Sequence, residues 1–194
     1  MVAIAIMAVL MCASCSGHAS DAPEVPQHTP GYVVDSILPP GEAMRRFRAG
    51  LDSPAAFGGP TSRDSLVARF FAGVRRHNRA ALDSLAMTRA EFAYFVFPSS
   101  RLSRPPYRQP PDIAWMLFHA NSESGLTKLL NRSENYRLRS YTCAGTAEHE
   151  GTLALWRKCV VHLRDGVQPR DLHLFGTIIE VGGRFKFAGY DNDF

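Results

Sequence analysis

Residues 171–190, DLHLFGTIIEVGGRFKFAGY, decide how this chain folds. Apolar residues alternate there with other types at a period of two, the spacing of a strand whose successive side chains point to opposite faces. Gly182-Gly183 interrupts the run between Val181 and Arg184. A two-residue hairpin turn needs positive φ at both central positions, and glycine adopts it without steric cost. That register sets Ile178 opposite Phe187 and Gly176 opposite Gly189. Two glycines side by side predict a sharp bend or a close approach of backbone.

The same period extends upstream through residues 152–164 and 137–143. A looser turn over 165–170 sets His162 opposite His173. Four strands in a meander predict a curved antiparallel sheet. One face carries Leu153, Leu155, Cys159, Val161, Leu163, Leu172, Leu174, Ile178, Phe185 and Phe187, and is read as core. Arg157 and Glu180 are its only charges, on a cross-strand diagonal within reach of long side chains. A buried charge needs a partner. The pair is therefore either a mutual salt bridge or a ligand-facing pair in a pocket between sheet and helices. The opposite face mixes Trp156, Phe175 and Ile179 with Lys158, His162, His173 and Lys186, too apolar for a fully solvated surface, and is a candidate homodimer face. His162 and His173 lack a third ligand at convincing spacing, so neither metal nor cofactor is expected.

Before residue 132 the apolar spacing is helical. Thr61 or Ser62 opens a helix, and Leu66, Val67, Phe70, Phe71 and Val74 form one apolar stripe along it. Asn78 caps a second, shorter helix with Leu82 and Leu85 inward. Thr88 and Glu91 have the spacing of a capping box and open a third helix through Phe92–Phe97, which Pro98 is expected to stop. Further upstream, 41–51 makes a short amphipathic helix with Met44, Phe47 and Leu51 on one side.

Residues 99–111, SSRLSRPPYRQPP, form a stiff, proline-studded loop. Such a loop presents Tyr107 and Arg108 at little entropic cost, which suits a binding lip; the plainer reading is a rigid connector. From Pro111 or Asp112 a longer helix carries Ile113, Leu117, Phe118, Leu126, Leu129 and Leu130, with a break expected near Gly125. Trp115 lies partly off its main stripe. Tyr107, Arg108, Trp115, Arg157 and Glu180 are the candidate ligand-binding residues, and no catalytic residue is assigned.

The first 11 residues, MVAIAIMAVLM, are too short to span a bilayer as a helix, which needs about 20, and match the apolar region of a secretory signal. The Ala13-Ser14-Cys15 that follows resembles the lipobox of bacterial lipoproteins, which implies lipidation at Cys15; the alternative is a plain secretory signal cleaved nearby. Segments 1–15 (signal), 16–58 (Pro-rich tether and domain lead-in) and 59–194 (one α+β domain) are expected. In an exported chain, Cys143 and Cys159, on neighbouring antiparallel strands, predict a disulfide. With a formal charge of +4 and no basic run or zinc-ligand spacing, nucleic-acid binding is not expected.

Helices first and a bent antiparallel sheet after them make an α+β plan. Over 61–190 this order resembles the NTF2-like (cystatin-like) cone, and the middle stretch resembles uncharacterised bacterial lipoproteins. The resemblance implies a cavity between helices and sheet and carries over no site residues. The expected function is a non-enzymatic, lipid-anchored envelope protein that binds a small or amphipathic ligand, or a partner protein. No GxSxG, HExxH or phosphate-loop motif is present. The alternatives are an enzyme of the same fold with Glu180 or a histidine as general base, or a purely structural dimer.

Overall fold

The computed structural model describes residues 38–133 and 135–194; the signal segment, Cys15 and the tether to residue 37 lie outside the described residues. Leu38–Phe194 is one compact α+β unit, with helical elements over 40–132 and two antiparallel sheets after them.

The helices follow their local chemistry. α1 (Pro40–Arg48) buries Phe47. In α2 (Arg63–Arg75) the Ser62 hydroxyl accepts from the Ser65 N–H, and Leu66, Val67, Phe70, Phe71 and Val74 are buried as the stripe predicts. Asn78 caps α3 (Arg79–Leu85) through the Ala81 N–H. Thr88 and Glu91 close a capping box on α4 (Arg89–Glu91). The chain then widens into a π-turn, Phe92–Val96, and continues through a last turn, α5 (Phe97–Ser99), and a 3₁₀ turn, Arg101–Ser103. Pro98 does not stop the helix. It falls on the first turn after the π register, where its missing N–H has no duty.

α6 (Pro111–Arg132) is continuous, against the expected break at Gly125. A Cβ on Gly125 would lie 1.5 Å from the Tyr190 carbonyl oxygen, so glycine is required for close approach of the C-terminal segment. The inward stripe of α6 also differs from expectation. Ala114, Leu126 and Leu129 are buried and Ile113 and Leu117 are exposed, while Phe118 is partly exposed with its ring against Phe92.

The strands form two sheets where one meander was expected. β1 (Tyr136–Thr142), β4 (Val160–Asp165) and β5 (Gln168–Leu172) make one, in the order β1-β4-β5. β2 (Glu148–Glu150), β3 (Leu153–Trp156), β6 (Ile178–Val181) and β7 (Arg184–Phe187) make the other, in the order β2-β3-β6-β7. The long runs 152–164 and 171–181 each break once. Lys158 adopts positive φ (51°) between β3 and β4, and residues 173–177 turn the chain between β5 and β6. At the second break the Gly176 N–H donates to the Gly189 carbonyl (3.0 Å), the close approach the paired glycines predict. The hairpin at Gly182-Gly183 sets Ile178 opposite Phe187, as read. The β4–β5 turn is tight, pairing Asp165 with Gln168, so His162 stands opposite Asp171 and not His173. The Cys143–Cys159 disulfide forms between the end of β1 and the start of β4.

Both faces of the four-stranded sheet are buried. Ile178 and Phe187 pack with α2, α3 and the C-terminal half of α6. Leu153, Leu155 and Ile179 pack with Phe47, Phe57, Phe92, Val96 and Ala114. Neighbours in one strand point opposite ways, so Ile178 and Ile179 belong to different cores. Part of the expected dimer face is covered within the unit: Phe175, Ile179 and Lys186 are buried and the Arg63 guanidinium lies over Trp156, while Lys158 and His173 are exposed.

Candidate functional site

A cavity of about 160 Å³ lies between the π-turn and the four-stranded sheet. Leu153, Leu155 and Ile179 of the sheet form one wall; Phe92 and Val96 of the π-turn form the other, with Phe118 of α6 beside them. Leu102 and Ala188 complete the apolar lining, and Arg101, Glu150 and Arg157 supply the charged part. π-turns interrupt helices at a cost and cluster at functional sites; here the wider turn supplies Phe92 and Val96.

The charged groups are held in place. The Arg157 guanidinium donates from Nε to Glu148 Oε2 and from Nη2 to Glu150 Oε1, both at 2.9 Å. The Arg101 backbone N–H donates to the other Glu150 oxygen at 2.8 Å. Ser99 Oγ lies 3.0 Å from Thr152 Oγ1, so the β2–β3 hairpin is fastened to the end of α5. Among the described residues Arg157 makes no ion pair with Glu180, which corrects the expected cross-strand bridge. The acids at 148 and 150 belong to strand β2 and are the partners of Arg157.

A second cavity, of about 340 Å³, lies on the other side of Phe118. Trp115 and His119 stack along it at 5.4 Å, and Thr88, Arg89 and Glu123 form its polar rim. Phe118 and Ala188 line both cavities, so the two meet at these residues under the N-terminal half of α6.

Of the five sequence-predicted binding residues, Arg157 lines the first cavity and Trp115 the second. Glu180 pairs with Ala154 and Phe185 in the sheet, is half-buried, and lines neither. Tyr107 and Arg108 lie outside both cavities, exposed on the loop, with the Arg101 guanidinium over the Tyr107 ring. Cys15 lies outside the described residues. Phe92, Val96, Leu102 and Phe118 were not read as site residues. For Phe92 and Val96 the one signal is the density of aromatics over 92–97, more than a single helix face can bury; Leu102 and Phe118 carry none.

Two further clusters carry polar chemistry. Glu91 and Lys186 form a buried ion pair at 2.9 Å. Burial pushes the Glu91 carboxyl up, but the Thr88 N–H, the Lys186 ammonium and the Gly58 N–H outweigh it and hold the group below its ordinary value. On the three-stranded sheet, Thr142 Oγ1 lies 3.1 Å from His162 Nε2, and His162 Nδ1 lies 2.8 Å from Asp171 Oδ1. This is the connectivity of a hydroxyl, a base and an orienting carboxylate. Thr142 and Asp171 are exposed. Among the described residues no group of three His, Cys, Asp or Glu side chains is placed to hold a metal, and no helix is long and apolar enough to cross a membrane.

No protein-family model matches the chain, and comparison with curated proteins and with solved structures gives no match either.

Proposed function

We propose that this chain is an exported, lipid-anchored protein of the cell envelope, non-enzymatic, that holds a small apolar or amphipathic ligand between the π-turn Phe92–Val96 and the four-stranded sheet of an NTF2-like cone. The cavity bounded by Phe92, Val96, Leu153, Leu155 and Ile179 carries this reading. Its volume of about 160 Å³ is close to that of an apolar protein cavity that takes up benzene, roughly 150 Å³. The ion-paired Arg157 and Glu150 supply a polar end at which a head group is oriented. They are already neutralised by each other, which favours a neutral or zwitterionic head over a simple anion. The address is read from the apolar run and Cys15, and the Cys143–Cys159 disulfide suits an oxidising compartment.

Toluene and hexanol are the first probes. Each is expected to raise the melting temperature of the full chain and to perturb the NMR signals of residues around Leu155. Leu155→Trp fills the cavity and removes both effects. If neither probe shifts the wild-type signals, or if Leu155→Trp responds equally, the cavity is not a binding site.

A second reading rests on Thr142, His162 and Asp171. It makes the chain an acyl-transfer enzyme with the Thr142 hydroxyl as nucleophile and His162 as base. Incubation with p-nitrophenyl acetate followed by peptide mass analysis decides it. An acetyl group on Thr142 that is absent in His162→Gln supports the reading; an unmodified Thr142 rejects it.

A further inference from the structure

The N-terminal half of α6 is apolar on the wrong side. Ile113, Met116 and Leu117, at i, i+3 and i+4, are exposed together, Met116 at 55 %, and Ala120 continues the row. The loop immediately before the helix adds Tyr107, exposed at 58 %. Its backbone is fixed: four prolines (105, 106, 110 and 111) stiffen it, the Arg108 N–H donates to the Arg104 carbonyl, and the Gln109 N–H donates to the Leu102 carbonyl. Arg104 and Arg108 are exposed, and neither makes an ion pair with a described residue. Across residues 104–122 the acid is Asp112, against Arg104 and Arg108, while Arg101 just before them pairs with Glu150.

We infer that the stretch 104–117 is a docking face for an anionic lipid surface. The inference goes beyond the ligand-binding reading and does not depend on it. An exposed apolar row flanked by arginines and a tyrosine meets each layer of a bilayer edge with matching chemistry. Apolar side chains enter the acyl boundary, the amphipathic ring sits at head-group level, and guanidinium groups pair with phosphates. The charge balance argues for lipid over a second copy of the chain. A two-fold pair sets this patch against itself, and Asp112 alone cannot match both Arg104 and Arg108. The face also has a short path to the first cavity, because Arg101, Leu102 and Phe118, which bound or follow the patch, line that cavity as well. Docking would bring the cavity's lining close to lipid.

The test uses the full chain with Cys15→Ser, so that no acyl chain can mediate binding, and Tyr107→Trp as a reporter. Vesicles of brominated phosphatidylglycerol are compared with brominated phosphatidylcholine at about 0.1 M salt. The emission of the introduced indole, taken as the difference from the protein with Tyr107 intact, is expected to be quenched by the anionic vesicles and weakly or not at all by the zwitterionic ones. Removing an arginine is expected to weaken vesicle binding about fivefold, the factor that ~1 kcal/mol per basic residue at an anionic surface gives. Arg104→Gln with Arg108→Gln is then expected to weaken it roughly thirtyfold. Met116→Asp with Leu117→Asp removes the quenching; Met116→Ser is the milder variant should the double one fold poorly. Three results overturn the inference. The protein binds vesicles with the reporter unquenched, the quenching is equal on both lipids, or Met116→Asp/Leu117→Asp turns a solution dimer into a monomer while vesicle binding is unchanged. The toluene response of the cavity is independent of all three, so failure here leaves the ligand reading standing.

Discussion

Lys186 Nζ lies 2.9 Å from Glu91 Oε2, with both side chains only 6 % exposed. The pair joins β7 to the start of the helical segment 89–99. Glu91 also accepts from the backbone N–H groups of Thr88 and Gly58, both at 2.8 Å, and Lys186 donates to the Ala86 carbonyl at 3.2 Å. Each charged group of the pair thus has further partners, which is the condition under which a buried ion pair is tolerated.

Removing one partner leaves the other charge stranded. Glu91→Gln and Lys186→Met are each expected to lower unfolding free energy by about 3 kcal/mol, in the range for a broken buried pair. The double variant is expected to cost clearly less than the sum, because no lone charge remains. Urea unfolding of the four proteins measures the coupling, and a strictly additive result would show that the pair is not the stabilising unit.

The same carboxyl sets an acid limit. Its value in the folded chain is held below the ordinary one near 4.5. A group depressed by folding contributes stability that is fully present above its unfolded value and is lost as pH falls through the folded one. The wild-type urea midpoint is therefore expected to drop as pH falls below about 4.5, and Glu91→Gln to show a shallower drop over the same range. Equal slopes for the two proteins would exclude Glu91 as a source of the acid sensitivity.

The Cys143–Cys159 bridge closes a loop with a sequence separation of 16 residues. In the chain-entropy view such a loop is worth about 3 kcal/mol. Reduction, or replacement of both cysteines by alanine, is expected to lower the unfolding free energy by that amount. Unfolding curves with and without reductant give the answer, and identical curves would mean that native packing alone holds β1 to β4.

Gly125→Ala sets two effects against each other. Alanine favours the helix by about 1 kcal/mol, yet its Cβ would meet the Tyr190 carbonyl at 1.5 Å. Overpacking is expected to win, with a net loss of roughly 2 kcal/mol. It should also free the C-terminal segment, which Asn192 ties to the Gly125 carbonyl at 2.8 Å. Urea unfolding together with hydrogen exchange over 189–193 would detect both. A stabilised variant would show that the segment moves aside without cost.

Local signals in the sequence were reliable where the chemistry is local. The α2 stripe, the Asn78 and Thr88 caps, the glycine hairpin and the disulfide follow from neighbouring residues or from one pairing register. Longer-range features were not legible. Period-two alternation tells which side chains share a face but not whether a second layer covers the other face, so it cannot show that segment 92–97 packs over Ile179 or that Glu91 and Ala86 enclose Lys186. Lys158 adopts a positive φ that no residue preference announces, and it divides the long strand into two sheets. In α6 apolar residues lie on more than one side, so periodicity alone does not choose between Ala114, which is buried, and Leu117, which is not. The cavity depends on a π-turn, whose register shift has no sequence signature beyond its crowding of aromatics.

Splitting the strands into two sheets doubles the number of outer strands, and each is blunted in a different way. β2 is three residues long and carries Glu148 and Glu150. β7 is closed by loop backbone: the Phe185 N–H donates to the Pro60 carbonyl, and the Phe187 carbonyl accepts from the Met87 N–H. β5 holds Pro169, which has no N–H to offer, and β1 has a bulge between Leu138 and Ser140. Open strand margins template the pairing of one chain with the next, and short length, charge, proline and bulges are what prevent it. With its four margins blunted in these ways, the chain can be held at high concentration without strand-to-strand aggregation.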